Sequence, residues 1–200
     1  MFDKDQAAIE RWCKNPDKLL DVGTMVLLSI RMQWTSVGNQ MYDVRKHGSK
    51  SKCLWGFKRD GYIYLRDNRK VLYKHVRDYR AGRIWLDDLV REFLKVPGLG
   101  LAKAGFLAQL TTGHGGCLDM HNVARFGLSP DSWKIRPRVD VADQLVEIDS
   151  KISFYLHLCD ACGGSEKLWD DWCNYLNDAV STFNGAEDVS RRHVTYLKGE

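Results

Sequence analysis

The stretch LVREFLKVPGLGLAKAGFLAQLTTGHGGCLDMHNVARFG, residues 89–127, decides how this chain is read. Leu89, Phe93 and Leu94 recur at helical spacing, and Pro97 stops that helix. Gly98 and Gly100 admit positive φ and leave no Cβ in the way of a close backbone approach. From Leu101 to Leu110 the 3.6-residue period resumes, with Ala102, Ala104 and Ala108 small enough for tight helix packing. The spacing predicts a helical hairpin over residues 84–112. Its turn would point backbone N–H groups and a helix N-terminus outward, an arrangement suited to phosphate. A Gly-rich loop, Gly113-His114-Gly115-Gly116, and then Leu118-Asp119-Met120-His121 follow, with Asp119 opening a third helix that ends at Gly127.

Upstream of the hairpin the chain is basic. Between Arg45 and Arg83 there are 13 Lys or Arg and 3 Asp. The last third is rich in acid by contrast, so the net charge of +4 conceals a segregation. A basic sector beside a phosphate-type turn points to a polyanion, nucleic acid first; a solvated charged face is the alternative. Two hundred residues, 44% hydrophobic and 28% charged, suit a globular protein with one substantial core or two small lobes. The sequence has no apolar run long enough to span a bilayer and no signal-peptide pattern at Met1, so a cytoplasmic or nucleoid-associated monomer without a membrane partner is expected. Its six cysteines then read as reduced thiols.

Outward from there, Phe2 to Trp12 reads as a short helix ending near Asn15-Pro16, and Leu19 to Val44 as one long or two broken helices. Residues 47–60 read as a mobile loop. Gly61-Tyr62-Ile63-Tyr64-Leu65 has β character and pairs naturally with Cys53-Leu54-Trp55, giving a small β-like insertion near residues 53–65. Helix returns from Asn68 to Tyr79. Val141 to Cys159 is amphipathic; Gly163-Gly164 breaks it, Ser165 caps the next helix, Leu168 to Phe183 follows, and Asp188 to Leu197 forms a last short helix. The expectation is an all-α fold of two helical lobes with the hairpin at their junction. One lobe comprises residues 20–117, with the basic insertion (45–83) and hairpin (84–112). The other comprises 1–19 plus 118–200 and carries Asp119.

Val96-Pro97-Gly98-Leu99-Gly100, with an Asp-x-His segment nineteen residues past Gly100, resembles the helix-hairpin-helix DNA glycosylase superfamily. That group includes endonuclease III and the adenine-mismatch, alkyl-base and 8-oxoguanine glycosylases. The resemblance covers roughly residues 20–130 and implies a DNA N-glycosylase that flips a modified or damaged base out of double-stranded DNA. Asp119 is by resemblance the carboxylate that stabilises the sugar cation and activates water. Its place at a helix N-terminus would favour the ionised form. The hairpin residues Val96, Gly98, Leu99 and Gly100 would grip phosphate, helped by Lys50, Lys52, Lys58, Arg59 and Lys103. Ser29 to Thr35 resembles the family's early L-x-S-Q-Q-T segment, which puts Gln33 and Thr35 beside DNA; helix capping and core packing are the alternative. His114 either approaches DNA or is a satisfied loop histidine. Trp34, Trp55 and Tyr62 are base-pocket candidates or ordinary core and surface aromatics. His121 bonds the loop or takes part in acid–base chemistry, and Asn122 orients Asp119 or caps its helix.

Relatives that cleave the strand carry a lysine two residues after the second hairpin glycine. Ala102 holds that position, and Lys103 is one residue, about 100°, further round the helix. A monofunctional, water-using hydrolase is therefore expected over a strand-cleaving lyase. The relatives' 4Fe–4S ligand spacing is not matched by Cys159, Cys162 and Cys173, so no cofactor or metal is expected. Small size, a basic insertion and the missing cluster mark a divergent member, compatible with a viral source. Two other readings stay open: a glycosylase-fold enzyme of base hypermodification, and a non-catalytic DNA-binding module.

Overall fold

A computed structural model of the protein describes residues 13–118, 120–135, 141–172 and 174; the side chains of residues 34–35, 120–121 and 141–144 fall outside that description. The helices expected over 2–12 and 188–197, and Asp119 itself, lie outside the described residues. Everything described is helical or irregular.

Helix α1 spans Pro16–Ser29. Its start lies at Asn15-Pro16, ahead of Leu19: Asn15 Oδ1 accepts from the Lys18 N–H at 2.9 Å, and Pro16 stands in the first turn, where no N–H is needed. From Val22 to Ser29 every residue is buried. A helix that is apolar all round belongs at the centre of a fold. Helix α2 spans Trp34–His47, so the two-helix version of the 19–44 expectation holds. A 3-10 turn over Gly48–Lys50 and an irregular segment lead to α3, Phe57–Arg80, the longest helix described. Helices α4, Leu86–Leu94, and α5, Leu101–Thr112, form the hairpin. Then come α6, Met120–Phe126, a 3-10 turn over Pro130–Ser132, α7, Val141–Ala161, and α8, residues 164–172.

The β-like insertion expected at residues 53–65 is corrected to helix. Gly61 to Leu65 lies inside α3, and residues 53–55 form the turn before it. The buried positions Lys58, Gly61, Leu65, Leu72 and Val76 fall on one helical face and pack α3 along α1. The local β preference of Tyr-Ile-Tyr loses to that stripe, because tertiary burial outweighs weak propensities. The mobile-loop expectation is corrected in part as well, since α3 already begins at Phe57.

Like α1, α5 is buried on every side from Ala104 to Thr112. It packs against α4, α1 and α7, and one contiguous apolar cluster runs from Cys13 to Trp172. Glycines set the crossings. A Cβ on Gly61 would meet the Pro97 carbonyl oxygen at 2.5 Å and Leu27 Cδ2 at 2.9 Å. The bare Gly61 thus lets the C-terminal part of α1, the start of α3 and the hairpin turn meet at one point.

Candidate nucleic-acid interface

That meeting point positions the site. Gly98 takes φ +88°, a left-handed conformation that favours glycine, and the Phe57 ring lies directly against it. Val96 and Leu99 are buried and anchor the turn from inside, with the Leu99 N–H donating to Val96 O at 3.1 Å. Gly100 is the N-cap of α5, with ordinary extended backbone and no atom within 4 Å of where a Cβ would be. The two glycines therefore differ. Gly98 is needed by the fold, whereas Gly100 opens the N-terminus of α5 to solvent. At that end the Leu101 and Ala102 N–H groups precede the first intrahelical bonds, which the Lys103 and Ala104 N–H groups donate to Gly100 O at 3.0 and 2.9 Å.

Trp55 stands beside this turn, 51% exposed, with its ring edge-on to Phe57 at 5.8 Å. Lys58 lies beneath it and is fully buried. Its Nζ donates to Leu28 O at 3.0 Å and sits 5.5 Å from the Trp55 ring centroid. Leu28 O is among the last carbonyls of α1, which lack partners within the helix, so Lys58 caps α1 from the first turn of α3. Burial pushes its ammonium pKa down. Lys58 is thus a structural group in this conformation. Lys50, Lys52 and Arg59 are exposed around the same end and make no ion pair among the described residues. Gln33 is exposed just after α1 and caps α2 only through its backbone: the Ser36 N–H donates to Gln33 O at 3.0 Å. The side chains of Trp34 and Thr35 lie outside the described residues. Tyr62 is half-buried on α3, packed against the core.

On its other side the hairpin bounds a cavity of about 590 Å³, lined by Leu99, Gly100, Leu101 and Ala102 and faced by Asp131, Trp133 and Ile148 among others. Ala102 faces it. Lys103 does not line it; its Nζ stands 5.5 Å from the Phe106 ring centroid. Trp133 packs edge-on against Tyr155 at 5.8 Å. Tyr155 clamps the Gly-rich loop: its hydroxyl donates to Gly116 O at 2.8 Å and accepts from the Leu118 N–H at 3.0 Å. Complete burial raises the Tyr155 pKa well above its ordinary value, so the hydroxyl remains a donor. Buried Asn122 donates to Cys117 O at 2.6 Å. Both flanks of position 119 are therefore fixed, although Asp119 itself and the His121 side chain lie outside the described residues.

His114 is placed elsewhere. It follows α5, so the twelve residues of that helix, about 18 Å, separate it from the hairpin turn. The cysteines at 13, 53, 159 and 162 are free thiols, and among the described residues no three His, Cys, Asp or Glu side chains gather for a metal ion. Cys173 lies outside them. No helix among the described residues is long and apolar enough to cross a membrane.

Phe57 and Tyr155 are absent from the sequence-based expectations, and Lys58, expected on phosphate, is instead buried as a cap of α1. A signal for the burial of Lys58 exists in the 3-, 4- and 7-residue spacings that place Lys58, Gly61, Leu65, Leu72 and Val76 on one face. Tyr155 lies 37 residues from its bond at Leu118, and nothing local marks it. Comparison with protein-family models, with curated proteins and with solved structures finds no match to this chain.

Proposed function

We propose that this chain is a DNA N-glycosylase that takes a modified or damaged base from duplex DNA and hydrolyses its N-glycosidic bond. The observation that carries the reading is the hairpin itself. An open helix N-terminus at Gly100 adjoins a cavity on the same turn, and the clamped segment leading to Asp119 packs behind that cavity through Trp133 and Tyr155. In the reaction the hairpin N–H groups hold a phosphate, the flipped nucleotide enters the cavity, and the Asp119 carboxylate faces the cationic sugar and activates water. Ala102 supplies no amine at the cavity wall, which favours attack by water over a covalent amine intermediate.

The test is abasic-site formation under single-turnover conditions. Duplexes bearing uracil, hydroxymethylated, glucosylated, alkylated or oxidised bases are the substrates. Asp119→Asn should lower the rate by about 10²–10³ with DNA affinity nearly intact. An unchanged rate would remove Asp119 from the chemistry. An altered base without an abasic site would assign the chain to base hypermodification, and binding without any turnover to a non-catalytic module.

A further inference from the structure

A second cavity, of about 450 Å³, lies at the far end of the hairpin helices. It is lined by Tyr79, Arg80 and Arg83, and by Trp85, Thr112 and His114. Trp85 precedes α4 and His114 follows α5, so the length of the helix pair separates this cavity from the hairpin turn. We propose that it binds a nucleotide, with the base stacked on Trp85 and the phosphate held by Arg83 and Arg80.

Trp85 is 81% exposed, an indole face with almost no protein cover. Indole combines a large apolar face with a polar edge and suits a planar ligand. Arg83 is already oriented: its Nε and Nη2 both donate to Asp78 Oδ1, at 2.9 and 2.5 Å, leaving the rest of the guanidinium fork for an anion. Arg80 is fixed by its terminal nitrogens on Cys13 O at 3.2 Å and Thr111 O at 2.5 Å. Its buried Nε has no partner among the described residues.

The nearby carboxylates are engaged. Asp78 also meets Lys74 at 2.7 Å, Asp87 accepts from Ser153, and Asp88 accepts from the Trp85 N–H and Arg91. The lining is therefore cationic and aromatic, with Tyr79 and His114 packed edge-on at 5.8 Å as polar edges. The cavity volume falls in the range of small-ligand sites, about 300–1,000 Å³.

The same chemistry is offered by a free nucleotide and by the terminal nucleotide of a strand. Calorimetric titration of the full chain with dAMP, deoxyadenosine, inorganic phosphate and a 5′-phosphorylated single-stranded oligonucleotide separates them. Saturable binding of dAMP, tighter than either fragment, supports the site and a free nucleotide. Saturation by the oligonucleotide alone supports the site and a strand end. In either case Trp85→Ala and Arg83→Gln should each weaken binding about tenfold or more. Trp85 is exposed, so its replacement leaves the core intact, which circular dichroism checks. Gly100→Val should leave the Trp85-dependent part of this binding unchanged, whatever it does to phosphate contacts at the hairpin. Absence of saturable binding by dAMP and oligonucleotide alike, or binding indifferent to both variants, overturns the proposal. So does dAMP binding lost in Gly100→Val but kept in Trp85→Ala.

Discussion

At the scale of single residues, charge is spent on holding the fold as much as on meeting a partner. Lys58 illustrates this. Lys58→Ala removes a packed stem and orphans the Leu28 carbonyl, and should cost about 2–4 kcal/mol in urea unfolding, with no change in the salt dependence of DNA binding. Lys58→Met keeps the stem and should recover much of the loss. The folded pKa of Lys58 is lowered from its ordinary 10.5, so between the two values the unfolded chain holds the extra proton. Raising pH through that window should therefore stabilise the wild type relative to Lys58→Met, which unfolding curves from neutral to alkaline pH measure. At Asp78 the fold instead favours the charged form, and stability again rises with pH. Hydrogen bonds from Lys74 and Arg83 lower its pKa from 3.8 to about 2. Its contribution is complete above 3.8 and lost as pH falls through about 2. Asp78→Asn should flatten the acid limb of stability in that window.

At the scale of elements, close approach decides what a glycine is for. Gly→Ala inside a helix usually gains about 0.5–1 kcal/mol. Gly61→Ala in α3 should instead lose about 1–3 kcal/mol, because its methyl meets the Pro97 carbonyl, a backbone atom with little freedom to retreat. A thermal melt of that variant at or above the wild-type midpoint would show that the hairpin turn does not rest on α3. The hairpin helices are legible in the sequence because Pro97, Gly98 and Gly100 punctuate an otherwise continuous 3.6-residue period. The start of α3 is not, because Tyr62, Ile63 and Tyr64 favour strand locally while the buried stripe that wins runs from Lys58 to Val76. Within the candidate site the turn is legible and its supports are not. Phe57, Tyr155 and Trp133 reach it through tertiary contacts that no spacing announces.

At the scale of the whole molecule, part of the basic sector is engaged within the fold. Arg45, Arg66, Arg69, Lys74 and Arg83 pair with Asp21, Asp67, Asp17 and Asp78. Lys50, Lys52 and Arg59, exposed near the hairpin end, make no such pair among the described residues. If all three meet phosphate, changing them together to Ala should lower the salt slope of duplex binding by up to about 2.7, at about 0.9 per phosphate. An unchanged slope would mark them as a solvated face. Gly100→Val should weaken binding to all sequences alike while the fold persists, since its φ is ordinary and the space beside it empty. Between the two ends runs α5, buried on every side. Its amides should be among the slowest to exchange with deuterated solvent, opening only with the molecule as a whole. A spacer of that kind has one conformation to offer. Ligation at its two ends should then be thermodynamically independent, each affinity unchanged by occupancy of the other, with free energies that add.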